Sequence, residues 1–530
     1  MGGLRHARER GIALLMVLVV LMVVFLGGMA LTLTTITESE ISVAVDQWEI
    51  AYNVAASGIA STLSYLATLP PGAFSGTAPV DVTAAVAAYS GNALGPEGST
   101  FTVVVDPRNG TGTAAERYYL IRSTAWVPVV NGRKVRRQLE AVVEALNFAR
   151  YAYFSNAEET PTGDPMWFAP GDELYGPVHT NDQLHIAADA TGPIFHGRVT
   201  SVAPTYTKLD ETQPAPQLLG GFELGTEPMA MPTNTAQLET FAGAGILLEG
   251  ATSLTFYVDG GGGGAAKVLI ENADFAGSAS CVPVAGVTAL QAPQLCSWAL
   301  ADPWSAGSGP GAPGTANGVI AVVPGSGEIS AQVRLSTHRG YPSVIWSPAD
   351  PGSWDIAAMC PTGCVDVVAT GVAGTPGVKG KITLAVAGDL FIDNDITYVE
   401  PIESSVLGIV TSGNVYLTDN GLFGATEQPD GMQNRYVHGV VMTLGESFQA
   451  WNWGTRGTGT LAVYGGLIQA RRGILGTYES GAVVTGFAKS FVYDPRIGTS
   501  PPPYFPTTGA FEVMTLRERD APILQLVDTF

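Results

Sequence analysis

Arg8-Glu9-Arg10-Gly11-Ile12-Ala13-Leu14-Leu15-Met16-Val17-Leu18-Val19-Val20-Leu21-Met22-Val23-Val24-Phe25-Leu26-Gly27-Gly28-Met29-Ala30-Leu31 is the stretch that decides how the rest of the chain is read. Arg5, Arg8 and Arg10 lie ahead of or within its start against the single Glu9, and no charge falls between Gly11 and Leu31. As a helix the run is about 30 Å long, enough to cross a bilayer core. Basic residues before it hold the N-terminus on the cytoplasmic side and place the remainder of the chain outside. Three readings compete: a cleaved secretory signal, a plain anchor and a processed leader. The first wants a shorter apolar core and a small-residue cleavage site, for which Gly27-Gly28-Met29-Ala30 offers itself. The residues beyond decide the matter. From Thr35 the helix continues and turns amphipathic, with Ile41, Val45, Trp48, Tyr52, Ala55, Ile59, Leu63 and Leu66 on one face. Pro70-Pro71 stops it.

Arg8-Glu9-Arg10-Gly11 followed by Ile12-Ala13-Leu14-Leu15 resembles the leader of type IV pilins and type II secretion pseudopilins. In that family a membrane peptidase cleaves after the glycine and methylates the new N-terminus. The resemblance implies cleavage between Gly11 and Ile12. Within the family the chain is most similar to the PilX-type branch, through Ile41 to Leu66 with Ala55-Ala56-Ser57-Gly58-Ile59-Ala60. One residue departs from the pattern. Most pilins carry Glu at the fifth mature position, where this chain has Met16. That carboxylate meets the terminal amine of a neighbour in the fibre, so its loss implies a tip or rare position.

After a small-residue loop, Pro70 to Pro96, three strand-like runs follow. Thr100–Val105 ends at the turn signal Asp106-Pro-Arg-Asn-Gly110. Arg117–Trp126 leads to Asn131-Gly132, a strong hairpin signal, and Lys134–Leu146 completes a meander. A sheet packed on the amphipathic half of the helix is expected. Arg133, Lys134, Arg136 and Arg137 make the densest basic run; they are candidates for contact with DNA or phospholipid headgroups, against the plainer reading of a solvated hairpin.

From Tyr151 to Tyr493 short strands alternate with Gly, Asn and Asp turns. Four passages look like related rungs: Ile382–Ile392, Leu407–Leu417, Val437–Leu444 and Leu461–Ile468. The first two align on Gly388-Asp389 and Gly413-Asn414, 25 residues apart. That period suggests a β-solenoid; a β-sandwich is the alternative. The region also resembles a domain found after PilX-type helices, through Tyr175-Gly-Pro-Val-His-Thr-Asn181, Leu407-Gly-Ile-Val410 and Phe491-Val-Tyr-Asp-Pro-Arg496, while Gly197 to Gln332 is poorly covered. Ala510–Arg519 alternates like a strand that returns to the sheet. The plan is similar to a large competence minor pilin with a β-solenoid inserted in its sheet.

Composition agrees with an exported β-rich protein. In 530 residues there are 65 Gly and 35 Pro, only 14% are charged, and mean hydropathy is +0.21. A net charge of −21 disfavours general nucleic-acid binding. Four cysteines suggest two disulfides, Cys281–Cys296 and Cys360–Cys364 by nearest-neighbour pairing among three connectivities. Chemistry is hard to find. Gly260–Gly264 has no following Gly-Lys-Ser/Thr, and Asp393-Asn394-Asp395 lacks the rest of a calcium loop. His179, His185 and His196, with Asp182, offer a metal site, against turn hydrogen bonds as the plainer reading. No enzyme activity and no cofactor are expected.

The sequence therefore predicts an α+β pilin-like head, a long N-terminal helix plus antiparallel sheet, with a large inserted all-β domain of solenoid type. Residues 1–11 are the leader, 12–69 the helix with 12–31 in the membrane or fibre core, 70–150 the sheet, 151–493 the β-rich domain and 494–530 the returning segment. Other pilin subunits, the prepilin peptidase and the inner membrane are the expected partners, with DNA or a surface ligand for the ectodomain. The expected location is the inner membrane before assembly and the cell surface after. A membrane-held adhesin without a fibre is the second reading, and a solenoid carbohydrate-active enzyme the third.

Overall fold

The computed structural model describes residues 3–69, 78–87, 98–107, 118–128, 134–189, 192–210, 212–243, 245–259, 266–272, 281–283, 294–297, 318–337, 374–392, 395–399, 402, 405–418, 434–451, 453–454, 457–479 and 482–519. Helix α1 (Gly3–Leu66) is one uninterrupted element. No proline and no polar cluster breaks the apolar half, so the i→i−4 ladder runs through it. The buried stripe of its second half is Ala51, Val54, Ala55, Gly58, Ile59, Thr62 and Leu66. This corrects the expected face: Val45 is exposed, while Trp48, Tyr52 and Leu63 only flank the contact. Small residues lie at the centre because the sheet comes close.

That sheet has five strands in the order β1 (Val80–Asp81), β2 (Thr100–Pro107), β3 (Tyr118–Pro128), β4 (Lys134–Asn147) and a C-terminal strand, Thr507–Glu518. All its pairings are antiparallel. The expected loop over 70–96 thus contains β1 and a helical turn, Thr83–Val86. Alternate residues Val135, Leu139, Ala141, Val143 and Ala145 of β4 face α1 and join its core.

The body is built mainly from parallel strands, with antiparallel pairing where Ala266–Asn272 joins Thr252–Asp259 and where Gly476–Glu479 joins Ala482–Tyr493. One sheet runs from Gln217–Leu218 through Ile194–Phe195, Glu173–Tyr175, Ala482–Tyr493, Gly459–Gln469, Arg435–Thr443, Val406–Thr411, Lys381–Val386 and Val319–Val323 to Ile246–Glu249. A second carries Thr252–Asp259, Ala331–Ser336, Gly388–Ile392, Val415–Leu417 and Phe448–Ala450 side by side. From Lys381 to Gln469 the described strands alternate between the two sheets, one strand in each per pass. Ile382 lies beside Leu407 and Leu390 beside Val415, the 25-residue offset read in the sequence. Among the described residues no sheet is closed. The apolar sides of both sheets, with a small third sheet of Trp167–Phe168, His185–Ile186 and Thr207–Lys208, share one core.

Two ladders turn the chain at the edges of these faces. Thr411, Thr443, Gln469, Ser155, Thr180 and Ser201 are successive register partners, and all are buried. Their side chains bond the turns beside them, as Thr443 Oγ1 does to the Glu446 carbonyl at 3.1 Å. At the other edge Gly465, with φ of +147°, stacks on Gly439 so closely that a Cβ would collide with the Gly439 carbonyl. Gly197 sits over Gly176 and Gly220 over Gly197 in the same way. Residues Gly197 to Leu224, poorly covered by the resemblance, are therefore two more passes of the same stack.

The path through the stack is not monotonic. The chain enters near the middle, at Tyr153–Ser155 beside Leu467–Gln469, and winds outward to Phe222–Leu224 at one end. It then crosses to the other end at Ile246 and winds back until Ala482–Tyr493 meets Glu173–Tyr175. The segment expected to leave the body at 494 stays on it: Ile497 and Phe505 are buried with Phe148, Phe154, Val406 and Val440. The return to the head begins at Thr507.

Candidate functional site

Two surfaces of the head stand out, the bare half of α1 and the charged sheet that holds its other half. Leu15–Thr35 is long and apolar enough to cross a membrane, with mean hydropathy 2.7 and nothing packed on it. Met16 is 66% exposed. Gly11 and Ile12 lie within α1.

The basic run divides by strand alternation. Arg137 points to the helix side. Its Nη1 donates to the Trp48 carbonyl at 2.8 Å, its Nε and Nη2 donate to Glu518 at 2.6 Å each, and its guanidinium lies over the Tyr52 ring. The hydrogen bond to Glu518 raises its pKa further and, in turn, lowers that of Glu518. Arg137 therefore ties helix, sheet and C-terminal strand together. Arg136 points to the opposite side, over Trp126. Lys134 is half-buried at the start of β4. Arg133 lies outside the described residues.

On that opposite side sequence reading missed a hub. Glu140, 1% exposed, accepts from Arg122 Nε at 2.9 Å, Arg517 Nη2 at 2.7 Å and Arg519 Nη1 at 2.9 Å. Burial works against its charge, but the bonds from Arg122 and Arg517 and the charges of Arg519 and Arg517 outweigh it and hold the carboxyl below its usual range. The available signal was Arg517-Glu518-Arg519, charges alternating in a strand that pairs with β4, the carrier of Glu140, which pairs in turn with β3, the carrier of Arg122.

A second hub closes the body. Glu158, fully buried, accepts from Arg472 Nη1 at 2.9 Å and Tyr153 OH at 2.8 Å, and also from Ser155. Arg472 also donates to the carbonyls of Met166 and Trp167 and lies 3.9 Å over the Phe168 ring. Lys489 donates to Asp172 at 2.8 Å. Burial pushes the Tyr153 phenol well up and the Lys489 amine down, the latter against the pull of Asp172. The pairs join residues 314 and 317 apart in sequence.

The histidines do not converge. His179 is buried and meets Thr200 Oγ1 at 2.7 Å and Asn181 Oδ1 at 3.0 Å, and burial depresses its pKa. His185 stands edge-on to Trp167, and His196 stacks on Tyr175. Asp182 accepts from the Glu158 N–H. Among the described residues no group of three His, Cys, Asp or Glu side chains is placed to hold a metal. Asp389 and Asn414 do align, but as a ladder: Asn414 N–H donates to Asp389 at 2.7 Å and Ser447 N–H to Asn414 at 3.1 Å. Asp395 takes the Tyr436 N–H in a turn, while Asp393, Asn394 and Gly260–Gly264 lie outside the described residues. Cys281 and Cys296 are register partners in antiparallel strands; Cys360 and Cys364 lie outside the described residues. A cleft of about 780 Å³ opens between head and body beside Ala67, Leu146, Tyr151, Met229, Met231 and Tyr504.

Residues 118–203 match a family described as a domain of unknown function, DUF4900. That span runs from β3 across the hand-over into the body. No match is found among curated proteins. Among solved structures the chain is similar to the competence-associated pilin ComZ from Thermus thermophilus, at 10% identity and a TM-score of 0.27, over 79% of this chain and 84% of that one.

Proposed function

We propose that this chain is a pilin-like, membrane-anchored subunit that carries a β-solenoid body outside the membrane. One observation carries the reading. In a single 64-residue helix, the half Leu15–Thr35 is bare and apolar while the half from Trp48 onward is clamped on an antiparallel sheet. Bare apolar surface of that size needs lipid or the helices of neighbouring subunits around it. The finer reading comes from the sequence. Cleavage falls between Gly11 and Ile12, Met16 suits a minor pilin or pseudopilin at or near the tip, and the body serves adhesion or DNA capture. Cys281–Cys296 and Cys360–Cys364 form disulfides outside the cell. The second reading, an anchored adhesin without a fibre, shares the helix and the body but not the cleavage.

The test is mass spectrometry of the mature N-terminus, on protein recovered from sheared surface fibres and from membranes. A peptide beginning at methylated Ile12 is expected. An intact Met1 would leave the anchored adhesin, and a start near Leu31 would remove the anchor altogether.

A further inference from the structure

The head carries a basic surface and an acidic surface that cannot meet within one copy. Between Gly11 and Pro107 the chain has no lysine or arginine. The stretch of α1 between its apolar half and the sheet therefore bears Glu38, Glu40, Asp46 and Glu49 with no basic residue in reach along the helix, and Glu38, Asp46 and Glu49 are exposed. The lower part of the sheet face turned away from α1 bears Lys134, Arg136, Arg517 and Arg519 around the buried carboxylate Glu140, with Arg122 shared between Glu140 and Asp106, while Glu144 and Glu512 lie further up the same face. Arg517 and Arg519 stay 69% and 52% exposed while bonded to Glu140. The Nε of Arg136 is buried without an acceptor.

Height along the molecule matches the two surfaces. Arg137 fixes β4 level with Trp48, and Thr508, next to the Gly509 that lies by Ala67, bonds the Leu146 carbonyl. The helix climbs about 28 Å between these levels and β4 about 30 Å, so the two run side by side. On that scale Asp46 lies about 3 Å and Glu38 about 15 Å below Trp48. Lys134 lies about 10 Å below the same level and Arg519, bonded to the Gln138 carbonyl, just above it. Acidic collar and basic face occupy one band, on opposite sides of one sheet.

We propose that the acidic collar of α1 in one copy docks on the basic outer sheet face of a second copy, with the two α1 helices parallel. The inference rests on the anchored reading above, because a shared bilayer is what holds two such helices parallel and level. The contact joins unlike surfaces, so it is heterologous and leaves one acidic collar and one basic face open in a pair of copies.

Full-length chains in mild detergent, one tagged and one untagged, test this by co-purification. Lys134→Glu/Arg136→Glu in every copy should lower self-association about tenfold at low salt, as should Asp46→Lys/Glu49→Lys in every copy. Mixing the two variants should restore association, since each then offers the other an opposite charge at both surfaces; misfolding of either variant would not give that recovery. Wild-type association by either variant alone, or failure of the mixture to recover, overturns the proposal. So does loss of anionic-vesicle or DNA binding by the first variant with self-association unchanged. Alkaline extraction of membranes tests the anchor separately, and its failure would leave the detergent result readable.

Discussion

Glu140 shows how much one side chain organises. It lies on β4, yet two of its three arginine partners come from the C-terminal strand, 377 and 379 residues away. Without Glu140 these two arginines and Arg122 of β3 would gather like charges around β4 with no carboxylate among them. Glu140→Gln should destabilise the head by about 2–3 kcal/mol at pH 7, below the upper range for a buried pair because Arg517 and Arg519 are largely in water. The pH dependence has a definite sign. The carboxyl's pKa is depressed in the folded chain, so its contribution is complete above the ordinary value of 4.5 and fades as pH falls through the lower folded value. Thermal unfolding from pH 7 to 3 should show the gap between wild type and Glu140→Gln narrowing on the acid side. A constant gap would mean that the carboxylate's charge is not what holds the strand. No sequence pattern pairs Arg517 with Glu140; alternation places each on a face, and only the sheet order brings them together.

At the scale of elements, α1 and the three long head strands were legible and the details of their contact were not. Apolar periodicity marked the helix and Asn131-Gly132 the hairpin, because both signals are local. The contact itself is centred on Gly58, whose missing side chain leaves room for Ser123 and Phe101 of the sheet. A search for large apolar residues passes over such a position. Two opposing effects meet there. Alanine is favoured over glycine inside a helix by about 1 kcal/mol. Its Cβ would run into the Ser123 hydroxyl, which is buried without a hydrogen bond. Overpacking of this kind costs about 1–3 kcal/mol, so Gly58→Ala alone should be neutral to destabilising. Ser123→Ala removes both the obstacle and an unsatisfied group, and the double variant should exceed wild type by about 1 kcal/mol. Urea unfolding of the four proteins measures the coupling. Additive effects would show that the helix does not rest on Ser123. The body was legible where its rungs are apolar, from Ile382 to Ile468. Between Tyr175 and Leu224 the repeat survives as stacked glycines and two- or three-residue strands, too short for a hydrophobic period to appear.

At the scale of the molecule, the route of the chain determines what can fold separately. The body's first strands and its last ones are neighbours, since Glu173–Tyr175 pairs with Ser490–Val492 and Tyr153–Ser155 with Leu467–Gln469. Neither half can complete its stack without the other, and the head cannot complete its sheet without the C-terminal strand. A linear array of repeats would unzip from an end; this one has its chain entrance locked in its middle. The lock is charged. Arg472 and Glu158 are 3% and 0% exposed, and Lys489 with Asp172 lies beside them in the same electrostatic cluster. A buried pair of this kind adds little over apolar residues of the same shape, but losing one partner strands the other in the core. Arg472→Met should therefore cost about 3–5 kcal/mol, and adding Glu158→Gln should recover more than half of it. Because the pair joins both ends of the body, the single variant should open them together. Limited proteolysis would then cut near residues 158–172 and 470–489 at the same rate, and both cuts would slow in the double variant. Cuts appearing first at one end alone would mean that the body unfolds from that end like an open array, and that the meeting of its strands does not bind it into one cooperative unit.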